Sequence, residues 1–346
     1  MKVVVTIQHP GHVHFFRHAI DRLQDDGHEV HVFARASDVT ADLLAAYDIP
    51  HRMLAGEADS LASLAAVQAR YEFRLLRAAR RIEPDVITAI GGIAAAHVAA
   101  VVGARSVVFT DTEHATLINA LAFPLADVVG TPASFRKDLG DKQVRYEGFH
   151  ELAYLHPNRF TPDPSVLDGL DVDEDDPLVV MRLVSWGASH DVGQGGFGDI
   201  RDAVDRLEAQ GATVVLTSET SLPPELESRR YRLPPHRIHH LLYYADLFVG
   251  EGATMAIESA VLGTPALYVN TLDAGCLSEL ETDYGLLFGF SGEDRHERAL
   301  ERAESVLANP DTGKWERRRG RLLTEKEDTT GTILDLIRGD TAAVPA

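Results

Sequence analysis

Short apolar runs alternating with stretches of helical period constrain this chain more than any other feature. The N-terminal half places strand-like runs at residues 3–8, 29–34, 85–90, 106–110 and 127–130, with helix-like stretches at 14–25, 60–82, 94–102 and 115–123 between them. Buried strands joined by helices predict βαβ units and a parallel sheet. The strand-like runs end in Gly, His, Asp or Glu, as at Gln8-His9-Pro10-Gly11-His12 and Ile90-Gly91-Gly92. In open α/β sheets, ligands sit beyond those carboxyl ends.

Between 151 and 177 the alternation stops, prolines gather, and residues 171–176 hold five acids in six positions. A linker is expected there. Alternation restarts with strands at 178–184, 213–217, 246–249, 265–269 and 286–288, and helices at 197–210, 293–308 and 314–328. The chain therefore reads as a domain over 1–150, a linker over 151–177, a second domain over 178–328 and a tail over 329–346. At 346 residues it is long for one core. No apolar run approaches the roughly 18–20 residues that span a bilayer, the N-terminus reads as a strand instead of a leader, and a cytoplasmic location is expected. The single Cys276 leaves no intrachain disulfide and no multi-cysteine metal site. Acids outnumber bases 53 to 33, for a formal charge of −20. Such a surface repels phosphate, so no nucleic-acid partner is expected, and it suits the high-salt cytoplasm of a halophile.

The strongest local signal runs from Tyr244 to Leu267 and contains Gly250-Glu251-Gly252-Ala253-Thr254-Met255, Glu258 and Gly263-Thr264-Pro265-Ala266. It reads as strand, small-residue turn, helix, turn, strand. Glycines admit a close anion, and the helix beginning near Ala253 turns its positive end toward it. A diphosphate fits. Glu258, one turn on, is placed to accept bonds from both hydroxyls of a ribose; the plainer alternative is an acid stabilising the helix dipole.

This segment resembles the nucleotide-sugar motif of GT-B glycosyltransferases, especially the lipid II-forming peptidoglycan N-acetylglucosaminyltransferase. The resemblance implies that Gly252, Ala253, Thr254 and Met255 cradle the diphosphate, that Glu258 holds the ribose, and that backbone groups of Ile238 or His239 line the base pocket. In the first half, Gly11 and His12 resemble a reduced glycine-rich loop, Gly91-Gly92 and Asp111–His114 fall on two acceptor-side loops, and Asn119 matches an Asn on the following helix. With Phe149-His150-Glu151 and Ser189-His190-Asp191, the pattern also looks like a prokaryotic GT-B family known only as domain of unknown function 354. The implied fold is α/β, two Rossmann-like domains facing across a cleft.

Sugar transfer needs a base and stabilisation of the departing diphosphate. His12 is the first candidate base, then Glu113 and His114. Arg182 lies on the first strand of the second domain, Ser185 and Gly187 just after it, and Ser218 and Glu219 at the end of another, where phosphate contacts are expected; ion pairing for Arg182 and helix capping for Ser218-Glu219 are the plainer alternatives. His9, His12 and His14 lie within six residues, but no further ligand motif accompanies them and no metal is expected. Residues 193–198 are glycine-rich without a P-loop lysine and read as a connection before a helix.

The leading reading is a metal-independent glycosyltransferase using a nucleotide-diphosphate sugar, with no separate cofactor and with a lipid-linked or cell-surface glycan precursor as candidate acceptor. A nonhydrolysing nucleotide-sugar 2-epimerase comes next, served by Asp111, Glu113, His114, His190 and Asp191. A noncatalytic nucleotide-sugar-binding subunit is the third. Arg70, Arg74, Arg77 and Arg81 recur on one helix face, a candidate contact with anionic lipid at the inner membrane face, the alternative being a solvated face paired with local acids.

Overall fold

The computed structural model describes residues 1–36, 39–56, 61–170, 172, 176–183, 200–218 and 221–340. The chain divides into two compact units, Met1–Arg159 together with the segment from Lys326 on, and Phe160–Glu325.

The first unit holds a seven-stranded sheet in the order β3-β2-β1-β4-β5-β6-β7. The strands are β1 (Lys2–Ile7), β2 (Glu29–Arg35), β3 (His51–Ala55), β4 (Val86–Ile90), β5 (Arg105–Phe109), β6 (Val128–Pro132) and β7 (Gln143–Tyr146). All pairings are parallel. The central strands are buried on both faces, which is why β1 reads Val-Val-Val-Thr-Ile without alternation. Edge strands β3 and β7 carry polar residues (His51, Arg52, Gln143, Arg145) that break the apolar pattern, so neither stands out in the sequence.

The helix Pro10–Asp25 begins four residues earlier than its apolar period suggested. His9 Nδ1 accepts from Gly11 N at 3.1 Å and Pro10 supplies a first-turn residue with preset φ. Its inner face buries Val13, Phe15, Phe16, Ala19, Ile20 and Leu23. Residues 329–338, read as part of a tail, form the helix Thr329–Arg338. Asp328 caps it, and Thr329 and Thr330 hydroxyls donate to the carbonyls of Phe149 and Ala153 at 2.8 and 2.7 Å. Arg105 reaches its Leu336 carbonyl at 2.6 Å. These bonds are long-range, so local sequence does not announce them.

The second unit holds five parallel strands in the order β12-β11-β10-β8-β9: β8 (Leu178–Leu183), β9 (Thr213–Ser218), β10 (Leu247–Gly250), β11 (Ala266–Val269) and β12 (Leu287–Phe290). Helices Ala253–Leu262 and Arg295–Ala308 pack on it. Among the described residues no helix is long and apolar enough to cross a membrane.

Candidate functional site

Strand order locates a crevice in each unit. In the second, the chain steps outward from β8 to β9, then returns to start β10 on the other side of β8. Connections leave in opposite directions at such a reversal, opening a groove beyond the carboxyl ends of β8 and β10. Gly250 pairs with Arg182 in register there. A Cβ on Gly250 would lie 2.9 Å from Arg182 Cβ and 2.5 Å from Phe248 Cζ, so packing in the sheet already requires glycine. Gly252 has φ −93 and ψ 122, extended backbone open to any residue. Its role is to start the helix Ala253–Leu262, whose first turn has neither an acidic residue nor a side-chain cap. The N–H groups of Ala253, Thr254 and Met255 thus form an uncapped positive helix end at the crevice.

Glu258 lies beyond that first turn, which removes the dipole-stabilising alternative. It is buried, and its Oε1 lies 2.9 Å from Nε2 of the equally buried His239. His239 belongs to the helix Ile238–Tyr244, held against its neighbour by the Thr264 hydroxyl donating to the Leu242 carbonyl at 2.6 Å. The Gly-Thr-Pro ending of the motif is therefore structural: Gly263 closes the helix at φ 95 and Thr264 ties the two helices together. Ile238, half-buried, opens the His239 helix. Glu251, at the mouth, has His296 Nε2 within 3.7 Å. Burial, then the neighbouring Arg295, lower the His296 pKa. Asn270 donates from Nδ2 to the Glu251 carbonyl at 2.9 Å and lines an open cavity with Thr271, Asp273 and Glu281, beyond the ends of β11 and β12. A second cavity, around Tyr243, Asp246 and Trp315, opens at the opposite, strand-start edge, the wrong end for such a ligand.

In the first unit the reversal falls between β1 and β4. Gln8, His9 and His12 follow β1, and Gly91 and Gly92 follow β4, at those neighbouring strand ends. Gly92 has φ 66, and a Cβ there would lie 2.7 Å from Val108, so both backbone and space exclude a side chain. The expected glycine-rich loop is replaced by a helix start, with Gly11 in its first turn. His12 is half-buried; its Nδ1 accepts from Gln8 N at 3.4 Å, and its ring centroid lies 5.8 Å from that of His9. Burial, then the charges of His9, His150 and Arg35, hold its pKa well below the ordinary imidazole value. His12 is therefore neutral at pH 7. His14, by contrast, is buried against Tyr47 and stacked on Tyr154.

Glu113 is buried, and its Oε1 accepts from Arg136 N at 3.1 Å while Lys137 Nζ binds its carbonyl at 2.7 Å, bracing the loop after β6. His114 is exposed. Arg182 and Ser218 are half-buried at the ends of β8 and β9. Ser185, Gly187 and Glu219, with the runs 189–191 and 193–198, lie outside the described residues.

The structure pairs the half-buried Asp111, named above for the epimerase reading, with the buried His150: His150 Nδ1 lies 3.3 Å from Asp111 Oδ2, with Phe15 against the ring at 4.6 Å. Burial lowers the His150 pKa and Asp111 partly offsets it. The sequence singles out Asp111 and His150 separately, but nothing in it pairs them. Asn270 and His296 carried no local signal, since strand topology brings them to the crevice.

Residues 1–278 match a family described as "Protein of unknown function (DUF354)". An uncharacterised protein of Methanocaldococcus jannaschii is 24% identical over 280 residues, covering 77% of this chain and 81% of its own. Among solved structures, the UDP-GlcNAc 2-epimerase of Neisseria meningitidis bound to UDP-GlcNAc is similar with a TM-score of 0.66 at 12% identity, over 99% of this chain and 98% of that one. The glycosyltransferase VinC in complex with DTDP is similar with a TM-score of 0.65 at 15% identity, over 98% and 99%. These likenesses establish the α/β fold as GT-B, shared by glycosyltransferases and epimerases.

Proposed function

This chain belongs to the DUF354 family, and from that premise we propose that it is a metal-independent glycosyltransferase taking its sugar from a nucleotide diphosphate. The observation that carries the reading is the second unit's crevice, where an uncapped helix end and the His239-braced carboxylate of Glu258 lie on one helix. The amides of Gly252 to Met255 hold the diphosphate, Glu258 accepts from the ribose hydroxyls, and Arg182 and Ser218 flank the anion. As the sugar leaves, charge builds on the diphosphate oxygen, and amides already aimed there stabilise it without reorganising. Backbone groups at Ile238 and His239 take the base. Both similar structures named above hold a nucleotide or nucleotide-sugar, which supports a ligand of that class.

In the first unit His12 removes the acceptor's proton. Its neutral ring at pH 7 has a lone pair to offer. With Nδ1 turned to Gln8 N–H, the ring hydrogen sits on Nε2. Proton uptake therefore requires release of that 3.4 Å contact, which is long enough to break readily. Glu113 and His114 stand second for this role. A 2-epimerase is the other reading, favoured by the Asp111–His150 pair, an acid–base couple that transfer does not need.

Product analysis separates the two. The chain is incubated with each nucleotide-sugar, with and without polyprenyl-phosphate-sugar acceptors. Acceptor-dependent release of nucleoside diphosphate supports transfer. An epimeric nucleotide-sugar formed without acceptor supports the alternative and overturns the first reading.

A further inference from the structure

Apart from Met1, the large apolar side chains exposed among the described residues of the first unit gather on one face. Phe73 (60% exposed) lies on the helix Leu61–Ile82, Val101 (60%) on Ile93–Val102, Leu117 (72%), Ile118 and Leu121 on Thr116–Ala122, and Leu125 on the turn that follows. A hydrogen-bonded bridge shows that the three helices lie side by side. His97 Nδ1 lies 2.7 Å from Glu72 Oε1, and His97 Nε2 lies 3.1 Å from the Leu121 carbonyl. Phe73 adjoins Glu72, Val101 lies one turn from His97, and Leu117, Leu121 and Leu125 repeat at four-residue spacing along the third element. Packed helices normally leave such residues inside; here they face out together, as an apolar patch does at an interaction site.

The first helix also carries Arg70, Arg77 and Arg81, all exposed, with the Arg77 guanidinium 5.9 Å from the centre of the Phe73 ring. None of the three pairs with a carboxylate among the described residues, and the acid beside them, Glu72, is engaged by His97. Arg74 is already bonded to the Leu54 carbonyl at 2.6 Å. A basic rim beside an apolar face is unexpected in a chain of net charge −20.

We propose that this face is a docking surface for an anionic lipid bilayer. Apolar side chains would enter the headgroup boundary while the arginines meet lipid phosphates and carboxylates. Charge complementarity selects this occupant over a second copy of the chain, since a two-fold contact would set the arginine rims against one another. The inference does not depend on the chemistry of either crevice.

Vesicle flotation of the full chain tests it, with phosphatidylglycerol/phosphatidylcholine vesicles against pure phosphatidylcholine, at low and molar salt. The chain should float with the anionic vesicles and lose most of that binding as salt screens the charges. Each basic residue near such a surface contributes about fivefold, so the triple variant Arg70→Glu, Arg77→Glu, Arg81→Glu should lose at least about a hundredfold. Leu117→Ser with Leu121→Ser should lose about tenfold. These positions are exposed, and unchanged melting of each variant confirms that folding is intact. Equal partition to both vesicle types, no flotation at all, or wild-type flotation by both variants overturns the proposal. So does a lipid-free dimer in light scattering that dissociates in the Leu117→Ser, Leu121→Ser variant.

Discussion

The two units solve the same topological problem with different chemistry. Each reverses its strand order once and opens a crevice beyond its carboxyl ends, and each sets a helix at that crevice. In the second unit the helix end is uncapped, and the one carboxylate along it is braced by a buried histidine. In the first, His9 caps the helix itself and His12 projects from its first turn. An uncapped end suits holding an anion; a capped end with a depressed imidazole suits moving a proton. Under the proposed reading, the same scaffold serves binding in one unit and reaction in the other.

The largest effect that sharpens this contrast is expected at His12. Under the transfer reading, His12→Ala should lower turnover by about 10²–10⁴ and leave nucleotide affinity within about twofold. Single-turnover kinetics beside calorimetry will show it, and a parallel loss of affinity would mean that the units do not divide the labour.

Glycine substitutions come next, because each crevice is steric at its floor. Gly92→Ala meets both a left-handed φ and Val108, and should cost about 2–4 kcal/mol. Gly250→Ala meets only Phe248 and Arg182, and should cost about 1–3 kcal/mol. Denaturant melts of both variants rank them; equal costs would remove the backbone contribution assigned to Gly92.

Acid sensitivity is the smallest effect. His12, His18 and His150 of the first unit have lowered pKa values, His18 to about 4, against His296 in the second. Such rings bind fewer protons folded than unfolded. Their contribution to stability is complete above about pH 6.5 and is lost as pH falls, for His18 down to about 4. Burial is the main cause, with Arg17 and Arg159 adding to it. His18→Gln should flatten part of the fall in melting temperature between about pH 6.5 and 4; an unchanged slope would show that the ring does not titrate on unfolding.

Most of this plan was legible in sequence because central parallel strands must be apolar on both faces. The Gly250–Ala266 motif likewise shows its strand, turn and helix locally. What stayed hidden depends on long-range contact. Strands β3 and β7 sit at edges and look polar, the helix Thr329–Arg338 is defined by bonds to Phe149 and Ala153, and Glu258 gains its partner from a helix nineteen residues earlier. The motif's glycines also proved to have packing reasons, at Gly250, alongside any ligand reason. The Asp111–His150 pair joins the ends of two strands, 39 residues apart in sequence (150 − 111), and no spacing rule anticipates it.

The measurement closest to the central claim is calorimetric titration of UDP, GDP, CDP and dTDP into the wild-type chain and Glu258→Gln. Glu258→Gln leaves a neutral acceptor in place of the carboxylate, so the loss of charge assistance to the ribose hydroxyls should cost about 1.5–3 kcal/mol in all. The account predicts saturable binding of at least one nucleoside diphosphate, weakened by about 10–100-fold in the variant while both proteins melt cooperatively. Binding of equal affinity in the two proteins, or none from any nucleotide to the folded wild type, would contradict it.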